Sequence, residues 1–174
     1  MKKQETNKAD DRRGIEKTER EKRKPVTVLH VDDDPNDTAL LQVAFAKADV
    51  DFEIHNVGDG DQVMDYLAGA GEYADRARYR LPGLVLLDLK MPRVEGLEVL
   101  KWIREQSSLR SLRVVILTTS ELYRDVNTAY QLGANSYLVK PIEFEQFVRM
   151  SQSLKGHWLW MSKAPEIARP EPGK

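Results

Sequence analysis

The chain has 174 residues, with 27 lysines and arginines against 28 aspartates and glutamates and a formal net charge of −1, which suits one domain of ordinary size with extensions. It contains no cysteine, which excludes a disulfide framework, a thiolate zinc site and a cysteine nucleophile. Its apolar runs are too short to span a bilayer and its N-terminus lacks the apolar stretch of a secretory signal, so a cytoplasmic location is the expectation.

Residues 1–24 carry sixteen charges, ten basic and six acidic, for +4, which leaves −5 on the remainder. With no apolar repeat, this stretch reads as a disordered charged extension; a basic arm could touch nucleic acid or anionic lipid, but the interleaved acids favour plain solvation. From Pro25, short apolar runs alternate with helical patterns. Val26–Val31 is the first strand. Asp34 is placed to cap a helix whose first residue is Pro35, and Leu40, Leu41, Ala44, Phe45 and Ala48 recur behind it at helical spacing.

Phe52–Val57 is a second strand, closed by the turn Gly58-Asp59-Gly60. Residues 61–67 read as helical and 68–83 as a long loop with two glycines and Pro82. Leu84–Leu87 is the third strand, followed by a helix near 97–105. The fourth strand, 114–117, leads to a helix around 122–132 that stops at Gly133. The fifth strand is 137–139. A last helix runs from about residue 143 to 158, with Phe144, Phe147, Val148, Ser151, Leu154 and Trp158 along one face. Residues 162–174, with Pro165, Pro170 and Pro172, read as a disordered tail.

Strands without polar alternation, each followed by a helix, give an α/β fold with a parallel sheet covered on both faces. In such sheets chemistry collects where the strand C-terminal ends open onto one edge. Asp32 and Asp33 follow strand one, Asp88 ends strand three, Thr118 follows strand four and Lys140 follows strand five. Three carboxylates there repel unless neutralised. A hard divalent cation such as magnesium relieves the repulsion with few carboxylates, and beside Asp88 it would bridge to a phosphoryl oxygen. Lys140 and Thr118 could supply the cation and hydroxyl such a group also needs.

Each residue taken singly has a plainer reading. An aspartate after a strand is often a turn or helix cap, which suits Asp34 before Pro35 and leaves Asp32 and Asp33 as the metal pair by register. Lys140 alone would be a solvated lysine. Thr118 alone would be an ordinary strand end, with Thr119 beside it. His30, His55 and His157 show no ligand spacing, and His30 reads as a packed histidine within strand one.

In combination, Val31-Asp32-Asp33-Asp34-Pro35, Leu87-Asp88-Leu89-Lys90-Met91-Pro92 with Gly96, Leu117-Thr118-Thr119 and Tyr137-Leu138-Val139-Lys140-Pro141 resemble the receiver domain of two-component response regulators, which would occupy residues 25–161. The resemblance implies a flavodoxin-like five-stranded parallel sheet of order 2-1-3-4-5 with helices on both faces. It implies that Asp88 takes a phosphoryl group from a phosphohistidine on a sensor histidine kinase or phosphotransfer protein. Asp32, Asp33, Asp88 and the backbone carbonyl of Lys90 would hold Mg2+, Lys140 would pair with the phosphoryl oxygens, and Thr118 with Tyr137 would form the switch. The Lys140–Pro141 bond is expected to be cis.

Glu95 departs from the Asp or Asn more usual before Gly96, and the segment 68–81 is longer than in minimal receivers. That segment, the run from Leu117 to Ser120 and the ending Trp158-Leu159-Trp160-Met161 are similar to a subgroup of stand-alone receivers, some paired with phytochrome-type photoreceptor kinases. The aromatic ending has two open readings, a cap on the domain's own core or a homodimer interface through the last helix.

The expected function is that of a single-domain response regulator of a phosphorelay. Only thirteen residues follow residue 161, so no DNA-binding domain is expected, and output would run through a downstream protein target. Its chemistry would be self-phosphorylation and autodephosphorylation rather than turnover. A competing class is a hydrolase with Asp88 as nucleophile, similar to haloacid dehalogenase-like phosphatases. Those need a general-acid aspartate two residues on, where this chain has Lys90. A third is a degenerate receiver used as a scaffold, which five filled pocket positions disfavour.

Overall fold

The computed structural model describes residues 26–50 and 52–161; the extension expected at 1–24 and the tail expected at 162–174 lie outside them. Five strands, β1 (Val26–Val31), β2 (Phe52–Val57), β3 (Leu84–Leu87), β4 (Val114–Thr118) and β5 (Ser136–Val139), form one sheet in the order β2-β1-β3-β4-β5. All four pairings are parallel. The helices are α1 (Pro35–Lys47), α2 (Gly60–Ala68), α3 (Gly96–Glu105), α4 (Tyr123–Gln131) and α5 (Phe144–Leu154), which continues as π-helical turns over Lys155–Met161. The order and class are those implied by the receiver resemblance.

Alternation along each strand divides the core in two. Leu29, Val31, Val85 and Leu87 point to the face covered by α2, α3 and α4, where they meet Val63, Tyr66, Leu67, Val99, Leu100, Ile103 and Ala129. Val28, Leu84 and Leu86 point to the opposite face and meet Leu41, Ala44 and Phe45 of α1 and Phe147, Val148 and Leu154 of α5. Full burial on both faces is why β3 reads LVLL without a polar residue.

The helix starts follow local chemistry. The Asp34 carboxylate accepts from Asn36 N at 2.8 Å, with Pro35 as the first helical residue. Asp59 caps α2 by accepting from Gln62 N at 2.9 Å. At Gly96 the start of α3 lies so close to the end of β3 that a Cβ would meet the Asp88 carbonyl oxygen at 2.0 Å. Only glycine fits there.

Three arginines serve the helix C-termini, where carbonyls lack intrahelical donors. Arg76 donates from Nη1 to Tyr66 O and from Nη2 to Leu67 O, both at 2.7 Å, closing α2. Arg104 donates to Gly133 O beyond α4 and to Leu112 O. Arg113 donates to Trp158 O at 3.0 Å.

Two expectations change. The segment after α2, expected as a long loop, is a packed lobe: a 3-10 turn at Gly71–Ala74, with Tyr73 and Tyr79 against Tyr66 at ring distances of 5.2 and 6.0 Å. Arg76 also donates to Tyr79 O, so one guanidinium fastens lobe to helix. The Lys140–Pro141 bond, expected cis, is trans; no cis peptide occurs among the described residues. Lys140 is aimed without it, because its amide donates to Thr118 O at 2.8 Å and its ammonium is held by carboxylates, so the lower-energy isomer suffices. Of the aromatic ending, Trp158 packs against the α1/α5 core with the Arg113 guanidinium 5.5 Å from its ring.

Candidate functional site

Register brings the pocket together. Val31 pairs with Leu87, so Asp32 and Asp88 leave adjacent strands at one level. Leu87 pairs with Ile116 and Thr118 with Val139, which sets Thr118 and Lys140 at the same edge. One carboxylate oxygen from each of Asp32, Asp33 and Asp88 lies within 4.8 Å of the other two. Asp32 and Asp88 are buried and Asp33 is exposed, so the group opens to solvent on one side.

Lys140 enters this group as its counter-ion. Its Nζ is 2.7 Å from Asp32 Oδ2, 2.8 Å from Asp88 Oδ2 and 2.7 Å from Asp37 Oδ2. Burial disfavours the ammonium, but the nearby carboxylates of Asp32, Asp37 and Asp88 outweigh that and hold its pKa above the ordinary lysine value. Asp32 answers in the opposite direction. Burial would raise its pKa, yet the contacts to His30 and Lys140 and the Asp34 amide, which donates to Oδ1 at 3.0 Å, bring it below the usual value.

The donor set fits a hard divalent cation: three carboxylates, converging and short of positive charge. Asp32 Oδ2 is buried and, although close to Lys140 and 3.5 Å from His30 Nε2, makes no well-angled hydrogen bond. That oxygen retains a lone pair to offer. Near the same edge, Lys90 N donates to Asp88 Oδ1 at 3.2 Å.

Thr118 is fully buried, and its Oγ1 accepts from Ser120 N at 3.4 Å. Tyr137 is half-buried against the α2–α4 core and donates its hydroxyl to Ser120 O at 2.9 Å. Ser120 Oγ donates to Asp125 Oδ2 at 2.6 Å, so the turn after β4 joins β5 to the first turn of α4.

The structure thus gathers Asp32, Asp33, Asp88 and Lys140 and sets Thr118 and Tyr137 beside them. It adds Asp37, which sequence reasoning passed over, and gives His30, read there only as a packed histidine, a contact at the pocket. Asp37, in the first turn of α1, reads in sequence as an ordinary helix-start acid. His30 is packed as expected, but its ring also contacts Asp32, with Asn56 Oδ1 3.1 Å from Nδ1. A period-2 reading from Asp32 would have found His30 on the same side of the strand.

A family model described as the response regulator receiver domain matches residues 28–152. The chain is 37% identical over 144 residues to the probable methanogenesis regulatory protein FilR2 of Methanothrix harundinacea, covering 81% of this chain and 88% of that protein. It is 36% identical over 135 residues to response regulator Rcp1 of Synechocystis sp., covering 78% and 90%. Among solved structures, response regulator RPA3017 in red light signaling of R. palustris is similar at a TM-score of 0.78 and 37% identity, over 82% of this chain and 99% of that one. The Mn(2+)-bound form of Rcp1 is similar at a TM-score of 0.73 and 34% identity, over 82% and 100%.

Proposed function

The chain belongs to the response-regulator receiver family, and from that premise we propose that Asp88 is the phosphoacceptor of a two-component phosphorelay. The carrying observation is the Lys140 ammonium 2.8 Å from Asp88 Oδ2 inside a converging carboxylate group. A receiver has a histidine kinase as its phosphoryl source. An Asp88 oxygen attacks phosphorus as the P–N bond to the donor imidazole breaks; the electron pair stays with the imidazole nitrogen, and a carboxyl–phosphoryl anhydride forms. Later attack by water on phosphorus returns the carboxylate and releases phosphate.

Mg2+ held by Asp32, Asp33, Asp88 and the Lys90 carbonyl would neutralise charge on the transferring group. Lys140 then pairs with a phosphoryl oxygen, and the Thr118 hydroxyl donates to another. That turn of Thr118 is read by Tyr137, whose hydroxyl rests on Ser120 O, one residue from Thr119. The result is a two-state bias on the surface around α4 and β5. This chemistry is stoichiometric self-phosphorylation and autodephosphorylation. A phosphatase reading is disfavoured by Lys90, a cation where a general acid would stand.

RPA3017 is described as a response regulator in red light signaling, which supports a photoreceptor kinase of the phytochrome type as the donor for this chain. Val139 and Ile142, 41% and 98% exposed beside α5, support a homodimer through the last helix; sedimentation as a monomer with and without phosphorylation would exclude it. No described helix is long and apolar enough to cross a membrane, in keeping with a cytoplasmic partner of such a kinase. Incubation with magnesium and acetyl phosphate should give a hydroxylamine-labile phosphoryl adduct by intact mass. Asp88→Asn should abolish it; an adduct that persists in that variant overturns the assignment.

A further inference from the structure

Lys140 is shared with a carboxylate that neither phosphoryl chemistry nor cation binding requires. Asp37 lies outside the trio whose oxygens converge for a cation. Yet its Oδ2 is 2.7 Å from Nζ, as close as Asp32 and marginally closer than Asp88. Asp37 is 30% exposed at its side chain, where Lys140 is 6%. It reaches from the solvent side of α1 onto a buried ammonium. We propose that Asp37 is a charge brake on the phosphoacceptor, holding Lys140 at rest and competing with the phosphoryl group for it. This rests on Asp88 being the phosphoacceptor.

An ammonium has three N–H donors; at rest Nζ donates to Asp37 and Asp88 and lies 2.7 Å from Asp32 Oδ2, so three carboxylates crowd it. Phosphorylation of Asp88 adds acceptor oxygens and roughly one further negative charge. The ammonium cannot keep every partner at hydrogen-bonding distance. Asp32 belongs to the cation group and Asp88 carries the phosphoryl, so Asp37 is the partner to be released.

Until release, Asp37 and any phosphoryl oxygen on Nζ lie within about 5 Å of each other, both negative. At that separation, with partial solvent screening, the repulsion corresponds to about a tenfold effect on the phosphorylated population. Asp37 is therefore a positioning residue acting through Lys140. A plain helix-start role for the same residue would stabilise α1 without changing how the pocket responds to phosphoryl donor.

The test compares the full chain with Asp37→Asn and Asp37→Glu at saturating magnesium, titrating acetyl phosphate and following the adduct by intact mass at low and high salt. Asp37→Asn should reach half-phosphorylation at about tenfold less donor and lose its adduct more slowly after donor removal. The gap should narrow in high salt, because the term removed is a charge. Asp37→Glu should follow the wild type. The proposal is overturned if Asp37→Asn shifts the titration by less than about twofold or in the opposite sense, if the gap is unchanged by salt, or if Asp37→Glu behaves like Asp37→Asn. Absence of any adduct on the wild type would remove the phosphoacceptor reading itself, whereas a normal wild-type adduct with an unshifted Asp37→Asn removes this inference alone.

Discussion

Gly96→Ala tests how tightly the helix packing and the pocket are joined. Gly96 N donates to Leu89 O at 3.0 Å, drawing the first turn of α3 onto the segment that carries Asp88. A Cβ at residue 96 would sit 2.0 Å from Asp88 O, 2.8 Å from Leu89 Cα and 2.9 Å from Asp88 C, all backbone atoms that cannot rotate away. Either α3 or the tip of β3 must retreat by more than an ångström. Val99, Leu100 and Ile103 on that helix are fully buried, so retreat opens the core behind them. The cost should lie at the top of the overpacking range, about 3 kcal/mol. For a domain of this size that lowers the urea midpoint by about 1.5 M. The surviving folded fraction should phosphorylate more slowly, because the Asp88 carbonyl has moved. Urea melts by circular dichroism beside intact-mass uptake measure both effects. Gly156→Ala, with nothing within 4 Å and no left-handed backbone, is the control and should melt like the wild type. A Gly96→Ala midpoint within about 0.5 M of the wild type would refute the packing argument.

Lys140→Met removes the ammonium from buried Asp32 and Asp88 and should cost about 3–5 kcal/mol without divalent cation, since broken buried pairs leave uncompensated charge. Thermal melts should show much of that loss restored by magnesium, and a variant that melts identically with and without it contradicts the shared-pocket reading. The pH dependence has two arms. Asp32 is depressed in the fold, so its contribution is complete above the unfolded value of 3.8 and is lost as pH falls through the lower folded value. Lys140 is raised, so its contribution is complete below 10.5 and is lost as pH rises through the folded value. Urea melts across both limits should show Asp32→Asn flattening the acid arm and Lys140→Met flattening the alkaline arm.

The apolar runs of β1, β3 and β4 were legible in sequence because each strand is buried on both faces, leaving no alternation to misread. Asp34 and Pro35 were legible because an N-cap is a local event. Asp32, Asp33, Asp88, Thr118 and Lys140 could be gathered because parallel strands end at one edge. Asp37 was not legible: its partner is 103 residues away, and only the folded sheet, with α1 following β1 and Lys140 following β5, brings the two together. The same holds for Arg76. A loop carrying tyrosines and arginines looks solvent-exposed until the α2 carbonyls it serves are located.

The arginines that close the helices have a consequence at longer range. Strands run one way and helices the other, so Arg76, Arg104 and Arg113 sit at the edge opposite Asp32, Asp33, Asp37 and Asp88. Strands of four to six residues separate the two sets by roughly 15–20 Å. Four carboxylates, Asp32, Asp33, Asp37 and Asp88, gathered around the single ammonium of Lys140 leave the pocket edge acidic. A phosphodonor whose histidine is rimmed by basic residues would be turned pocket-first before it touches, and one with an acidic rim would be turned aside. Selection among donors then begins in solvent, in the field around the protein, and fades as added salt shortens the reach of that field.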